Sequence, residues 1–139
     1  MYNAVWNDYA ELYLKQDPDE VIEPGTVICK VKGKSCYTSS NQSNLNLVVG
    51  VCSDSYGYLV GGDENLTYEE NLKKYVPVSM TGRVMVKVPK GVIIEEGDIL
   101  SADINGCAYP RDVRGQSIGK ALESSDGSKD KILMQVFLG

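Results

Sequence analysis

Two acidic side chains near the start of the sequence have a spacing that suits catalysis. Asp8 and Glu11 form an Asp-x-x-Glu motif, and two neighbouring carboxyl groups can activate a water molecule or a backbone amide by general acid–base chemistry. The alternative is that both acids are surface charges or form a satisfied hydrogen-bond pair. The motif alone leaves both interpretations open.

Other common catalytic machinery is absent from the sequence. The chain contains no histidine, so it has no Ser-His or Cys-His relay, and it lacks the Gly-x-x-x-x-Gly-Lys-Ser/Thr motif of a phosphate-binding loop. The glycine-rich run at 57–62 lacks the strand-turn-helix setting that a dinucleotide site needs. An ordinary enzyme is therefore not expected, and no cofactor is predicted.

The cysteines do not form a metal-binding motif. There are four, with no Cys-x-x-Cys pair: Cys29, Cys36, Cys52 and Cys107. A zinc site would need all four thiolates to converge from distant points of the chain. Cys29 and Cys52 lie within apolar runs typical of β-strands. We therefore expect small buried thiols in a protein that folds in a reducing cytoplasm, and no metal site.

The size and charge of the chain exclude several partners. The 139 residues suit a single domain, 1–139. The net charge is -5 and the basic residues are scattered singly or in pairs, which argues against a nucleic-acid partner or an anionic membrane. The apolar runs are too short for membrane insertion, and residues 1–20 carry acids and tyrosines where a signal peptide would be basic and then apolar.

The spacing of apolar residues predicts an all-β fold. Fourteen glycines separate short segments rich in Val, Ile and Tyr, with a period of two that is clearest where Val84, Val86 and Val88 share one face. Candidate strands span 26–32, 47–53, 75–80, 82–88, 99–103, 117–122 and 131–138. Seven short strands predict a compact barrel or sandwich of the β-clip or β-tulip kind, with at most one or two short helices.

Other segments carry weaker signals. Residues 67–74 have a threonine cap and a glutamate three residues later, which predicts one or two helical turns. Residues 3–15 suit a helix or a strand, and we favour the strand. The Ser- and Asn-rich segment 37–46 is a surface loop or a partner contact, and 124–130 predicts a hairpin turn. The closing run 132–138 is apolar on both faces, which indicates a covered central strand.

Two parts of the sequence repeat one pattern. Residues 21–56 and 93–124 each contain two aliphatic residues, an acid, a variable residue, a glycine, a short polar residue and two more aliphatic residues. Gly25 and Gly97 are 72 residues apart, and Gly50 and Gly119 are 69 residues apart. A duplicated β unit is the simplest interpretation. The alternative is a chance similarity between glycine-rich hairpins.

The opening residues 2–11, YNAVWNDYAE, resemble the C-terminal modules of tail fibres, or appendages, from phages and prophages of Gram-positive bacteria. Further pieces follow in the order that those modules show: EPG at 23–25, VGV at 49–51, GRVMVKV at 82–88, EGD at 96–98 and IGKALE at 118–123. The resemblance covers nearly the whole chain. Its opening motif is the most specific part, because glycine turns that lead into strands are common.

The resemblance implies a structural and adhesion module. Such modules form homotrimers at the distal end of a fibre, cap or register its shaft, and are expected to contact a host cell-surface glycan or protein. The implied partners are further copies of the chain and the rest of the fibre, and the implied location is the virion tail fibre, assembled in the bacterial cytoplasm. Within the shaft-proximal segment 1–20, the residues hypothesised to line the threefold axis are Tyr2, Val5, Trp6 and Tyr9.

The Asp-x-x-Glu motif is also similar to one in the self-cleaving C-terminal domains of phage tailspikes and neck appendages, which are glutamic-type peptidases. If that role carries over, Asp8 and Glu11 are the catalytic acids of an intramolecular chaperone that cuts itself near Asn7-Asp8. The chain retains residues 1–7, so autocleavage is the alternative rather than the main prediction. A further alternative is a capsid decoration protein with the same β-tulip architecture.

Overall fold

The computed structural model describes residues 9–54, 58–110 and 115–138. They form ten strands and one short helix, which confirms the all-β prediction. The strands are β1 (Tyr9–Leu14), β2 (Val27–Lys30), β3 (Tyr37–Ser39), β4 (Val48–Cys52), β5 (Tyr58–Gly61), β6 (Tyr75–Lys87), β7 (Ile99–Ala102), β8 (Ala108–Pro110), β9 (Ser117–Ala121) and β10 (Lys131–Val136). The helix α1 is Tyr68–Lys74. Within the described residues, no helix has the length and apolar character needed to cross a bilayer.

The longest strand, β6, belongs to two sheets and joins them. Its first half pairs with β1 on one edge and β4 on the other, in a first sheet ordered β5-β1-β6-β4-β2-β3. Its second half pairs with β10, in a second sheet ordered β6-β10-β9-β7-β8. The pairings between these strands are antiparallel, apart from the parallel β1–β5 pair. The whole assembly curls into a half-barrel.

The first sheet curls until its far strand meets the end of β1. Lys15, just past β1, forms a parallel bridge to Tyr37 of β3, and the Gln16 N–H donates to the Tyr37 carbonyl at 2.8 Å. Inside the curl the rings of Tyr13 and Tyr37 pack edge to face with centroids 4.6 Å apart, and the Tyr13 hydroxyl donates to the Met80 sulfur at 3.0 Å. Four buried apolar side chains complete this small cluster: Ile28, Cys52, Val76 and Val78.

The units β2-β3-β4 and β7-β8-β9 have the same arrangement. In each unit the first strand is central and pairs antiparallel with the other two. Gly50 lies opposite Ile28 and Gly119 lies opposite Leu100, and in each case the register shifts one residue later. The two units therefore share their strand order and the position of one glycine in the ladder.

The main core is shared by both sheets. Val84, Val86 and Val88 are at most 5% exposed, whereas Met85 between them is 44% exposed, so the predicted alternation along this strand is confirmed. The strand β10 lies between β6 and β9, so the closing run is central, as predicted. It is not covered on both faces: Leu133 is half-buried, and Phe137 and Leu138, just past the strand, are 41% and 39% exposed. The remaining core residues are Val27, Cys29, Val48, Val51, Ile94, Leu100, Ala102, Ala108, Ile118, Ala121, Ile132, Met134 and Val136.

The structure differs from the predicted strands in two respects. The segments 75–80 and 82–88 form one strand, because Gly82 pairs with Val136 and the ladder continues without a break. The strands β3, β5 and β8 were not predicted: β3 and β8 have three residues, too few to show a periodic pattern, and β5 lies within the glycine-rich run at 57–62. The predicted helix cap is confirmed: the Glu70 N–H donates to the Thr67 hydroxyl at 3.1 Å, and the Thr67 N–H donates to the Glu70 carboxylate at 2.8 Å.

Candidate functional site

The start of β1 shows where the N-terminal segment enters the domain. The backbone of Tyr9 lies opposite Thr81 of β6 on one side and Tyr58 of β5 on the other. The chain thus enters between two strands, beside the middle of β6. The other residues predicted to contact a shaft or to mark a cleavage point lie outside the described residues: Tyr2, Val5, Trp6, Asn7 and Asp8.

Glu11, the second acid of the predicted pair, lies in the interior of β1. Its strand neighbours are Val78 of β6 and Val60 of β5. Strand alternation puts its side chain on the same face as Tyr13, which is the inner face of the curled sheet. The side chain is half-buried. A strand paired on both edges fixes the position of this carboxylate, three residues after Asp8.

The two buried cysteines, Cys29 and Cys52, are unreactive at neutral pH. Burial raises the pKa of Cys29 to about 12, and burial together with the Asp54 carboxylate raises the pKa of Cys52 to about 12. Both groups therefore stay protonated at neutral pH, and a thiol is neither a nucleophile nor a metal ligand. Their burial agrees with the predicted role as small hydrophobic residues. Among the described residues, no three Cys, Asp or Glu side chains lie close enough to share a metal ion.

One buried amide that the sequence did not single out organises the segment before α1. Asn71 is 9% exposed, and its Oδ1 accepts a hydrogen bond from the Asp63 N–H at 2.8 Å. Its Nδ2 donates to the carbonyls of Asp63 at 3.0 Å and Thr67 at 3.1 Å. These bonds tie residues 63–70 to the helix. We call these residues the acidic segment, since they include an exposed tyrosine, Tyr68, and four acids: Asp63, Glu64, Glu69 and Glu70.

The outer face of the second sheet carries an apolar row across three strands. Leu133 of β10 lies opposite Met85 of β6, and the N–H of Leu122, just past β9, donates to the Leu133 carbonyl at 2.9 Å. Met85 is 44% exposed, and the two leucines are half-buried. The sequence held a signal for this row, because the closing run is apolar on both faces. Its neighbours across the sheet could not be identified from that run alone.

Basic side chains border the apolar row on both sides. One bordering row crosses β9, β10 and β6 and consists of Lys120, Gln135 and Arg83. On the other side Lys131 lies directly opposite Lys87. The Lys87 ammonium lies 3.3 Å from the Glu23 carboxylate, whose side chain is 72% exposed. We call this surface the basic face, and it consists of Arg83, Met85, Lys87, Lys120, Leu122, Lys131, Leu133 and Gln135.

The polar segment predicted as a loop or partner contact begins with β3 and continues as a pinned loop at 40–47. Asn44 is 3% exposed, accepts from the Asn41 N–H at 2.7 Å and donates to the Ser39 carbonyl at 3.2 Å. The loop is tied to the second unit by the Gln116 N–H, which donates to the Leu45 carbonyl at 3.0 Å. An open hollow of about 300 Å³ lies beside it, lined by Lys32 and residues 42–47. Amide, hydroxyl and ammonium groups thus line a concave surface together with the side chains of Leu45 and Leu47.

Comparison with known proteins relates this fold to a bacteriophage protein. No protein-family model and no curated protein matches the sequence. Among solved structures, the C-terminal fragment of bacteriophage phi29 gene product 12 matches with a TM-score of 0.63 and 16% identity, over 94% of this chain and 100% of the fragment. The pre-mature form of gene product 12 matches with a TM-score of 0.66 and 16% identity, over 97% of this chain. This chain spans 22% of the pre-mature protein. The chain therefore has a phage appendage-like fold.

Proposed function

We propose that the chain is a structural and adhesion module at the distal end of a phage or prophage tail fibre, where it forms a homotrimer that caps or registers the fibre. The observation that carries the proposal is the fold likeness, which extends over 94% of this chain and 100% of the gene product 12 C-terminal fragment. A likeness over nearly all of both chains favours one complete module with a similar place in an appendage. The proposed location is the virion tail fibre, after assembly in the bacterial cytoplasm.

The entry of the chain at Tyr9 supports a shaft on the N-terminal side. Because β1 is paired on both edges, the chain is first described in an internal strand of the first sheet rather than at a free edge. In the proposed trimer, Tyr2, Val5 and Trp6 line the threefold axis where the shaft enters. A Trp6→Ala variant that assembles as well as the wild type would contradict this assignment.

The pinned loop at 40–47 supports a host-contact surface. A hollow of about 300 Å³ with amide and hydroxyl groups on a fixed backbone suits a sugar, which is recognised by several hydrogen bonds at once. The proposed ligand is a glycan of the host surface, with a surface protein as the alternative. A Gln42→Ala/Asn46→Ala variant should lose binding to host cells while it keeps the wild-type oligomeric mass.

The homotrimer is tested by light scattering after size exclusion. A mass near three times the 15.2 kDa of one chain is expected at micromolar concentration. A mass of 15.2 kDa at every concentration would remove the trimer from the proposal.

The second candidate function is self-cleavage, favoured by the position of Glu11 on a fixed strand three residues after Asp8. Water would add to the carbonyl of a peptide bond near Asn7-Asp8, one carboxylate would take the proton from the water, and the other carboxyl group would protonate the leaving amine. Such a cut would release an upstream segment from this module, as an intramolecular chaperone requires.

Self-cleavage is tested with a longer chain that restores the upstream shaft. Mass spectrometry should detect a fragment that begins near Asp8, and Glu11→Gln should abolish it. The matched control is Glu96→Gln, which removes an exposed carboxylate outside β1 and outside the acidic segment and should leave cleavage unchanged. An intact chain in the wild type, or full cleavage in the Glu11→Gln variant, would contradict this candidate.

A third candidate, a capsid decoration protein, shares the compact β architecture. The two functions are distinguished by whether the purified domain binds capsids or fibres. Binding to empty capsids, without binding to fibres, would favour decoration over the main proposal.

A further inference from the structure

We propose that the basic face of one copy of this chain binds the acidic segment of the next copy, so that three copies close into a ring. The inference rests on the proposed homotrimer and identifies the two surfaces that form it. A cyclic trimer needs two different patches on each subunit, because each interface joins one patch to the other around the ring.

The apolar row supplies the centre of the first patch. Leu122, Leu133 and Met85 lie side by side on three adjacent strands, on the side of the sheet opposite to the main core. A row of this kind differs from scattered surface leucines because its members form one continuous strip. Interfaces of stable complexes have such an apolar centre with a polar rim.

The basic rim specifies the chemistry of the partner. Lys87 and Lys131 lie directly opposite one another, and like charges in this position destabilise a sheet. The ion pair to Glu23 offsets part of this repulsion; the Lys87 side chain is 28% exposed and the Glu23 side chain 72% exposed, and partly exposed ion pairs are weak. The Glu123 carboxylate also lies at the row, where it accepts from the Leu133 N–H at 3.0 Å. With Lys120 and Arg83 on the other border, the four bases outnumber these two acids, so the rim favours a partner surface that is acidic.

The acidic segment has the properties that this rim requires. Its side chains include four carboxylates and no base between Asp63 and Glu70. Tyr68 is 55% exposed and offers an aromatic ring to an apolar strip, with a hydroxyl that suits a polar rim. Asn71 and the helix cap hold the backbone of the segment, so little conformational entropy is lost on binding.

The two patches lie at opposite ends of β6, so a single copy cannot join them. The acidic segment leads into the first residue of β6, Tyr75, and Met85 follows ten residues later along the same strand. At about 3.3 Å per residue, ten residues span at most about 33 Å. The charges on one patch therefore attract the other patch of a neighbouring copy.

The inference is tested by reversing the charges of each patch and then of both. Lys120→Glu/Lys131→Glu and Glu64→Lys/Glu69→Lys should each raise the trimer dissociation constant by at least about tenfold, measured by analytical ultracentrifugation in 0.15 M salt. The chain with all four substitutions should regain part of the trimer formation, because the two new glutamates can pair with the two new lysines across the interface, while the other charges of each patch are unchanged.

A second test addresses the apolar row. Met85→Lys should weaken the trimer by about tenfold or more, because it puts a charge into the centre of the interface. The matched control is Ile93→Lys, since Ile93 is also apolar and 70% exposed but lies outside both patches. It should leave the trimer unchanged, and circular dichroism of both variants should match the wild type.

The outcomes separate this inference from the trimer itself. A trimeric wild type whose reversal variants and Met85→Lys also remain trimeric would overturn the assigned surfaces and leave the homotrimer standing. A wild type that is monomeric at every concentration would overturn both. Loss of the trimer in each reversal variant, with recovery in the fourfold variant, would support both.

Discussion

The strongest stability prediction concerns Ile132, at the centre of the domain. Ile132 lies in β10, the strand between β6 and β9, and is 0% exposed. Ile132→Ala deletes three carbon atoms. At about 0.8 kcal/mol per buried CH₂, the lost transfer free energy is about 2.4 kcal/mol. The cavity left behind adds to this loss, because the neighbouring strands are fixed on both sides, so a total of roughly 3–5 kcal/mol is expected.

The matched control is Ile93→Ala, which deletes the same three carbon atoms from a side chain that is 70% exposed. Because this side chain is only partly buried, about a third of the 2.4 kcal/mol transfer free energy is lost, so the expected loss of stability is roughly 0.7 kcal/mol. The two substitutions have the same chemistry and differ in burial, so their difference isolates the contribution of the core.

Urea unfolding followed by circular dichroism measures both losses at one fixed protein concentration, because association shifts the apparent stability. The Ile132→Ala midpoint should fall well below that of Ile93→Ala, with an unchanged slope. Since small domains are stable by roughly 5–15 kcal/mol, Ile132→Ala removes a large part of the total. Equal losses in the two variants would refute the central position of β10.

Three further predictions follow from other contacts. Gly119→Ala should destabilise the domain more than Gly33→Ala, because a Cβ on Gly119 would collide with the Gln135 carbonyl oxygen. A Cβ on Gly33 would meet nothing within 4 Å and would add only the strain of a side chain at a φ of 78°; urea midpoints compare the two variants. Asn71→Ala should raise proteolytic cleavage within the acidic segment while the core stays folded, because the hydrogen bonds to Asp63 and Thr67 are lost. The free energy of unfolding should fall as the pH rises above about 9. In the unfolded chain the thiols of Cys29 and Cys52 lose their protons near their ordinary pKa of 9.0, whereas burial in the folded chain raises this pKa to about 12. Deprotonation therefore favours the unfolded state over this pH range.

Each of these has an outcome that would contradict it. Equal midpoints for the two glycine variants would mean that β9 and β10 are not in the described contact. Unchanged proteolysis of Asn71→Ala would mean that the buried amide does not hold the segment. A flat stability profile from pH 8 to 10 would contradict the burial of the two thiols, and Cys29→Ala should reduce the slope of a falling profile.

The sequence indicated the larger elements because their patterns are long enough to be specific. The alternation at Val84, Val86 and Val88 identified the core face of β6, and the apolar closing run identified β10 as a central strand. The three-residue strands β3 and β8 are too short to show a period, and β5 could not be predicted because it pairs with β1, which is distant in sequence. The same limit explains why β6 was expected as two strands.

The candidate sites were predictable only in part. The Asp-x-x-Glu spacing identified Glu11, but only the fold shows that this residue lies on the inner face of the curled sheet. Asn71 carries no sequence signal, since a buried asparagine in a helix resembles an exposed one until its hydrogen bonds are known. The basic face likewise depends on register: Lys87 and Lys131 are far apart in sequence and become neighbours only through the β6–β10 pairing.

The position of β1 has a mechanical consequence. A strand held on both edges, by β5 and by β6, cannot be peeled away one hydrogen bond at a time when its N-terminal end is pulled along its axis. The hydrogen bonds run across the strand direction, so such a load is shared by the whole ladder in shear. The load then passes into β6 and, through this one strand, into both sheets together. Tension that enters at Tyr9 is thereby distributed over the strands of both sheets.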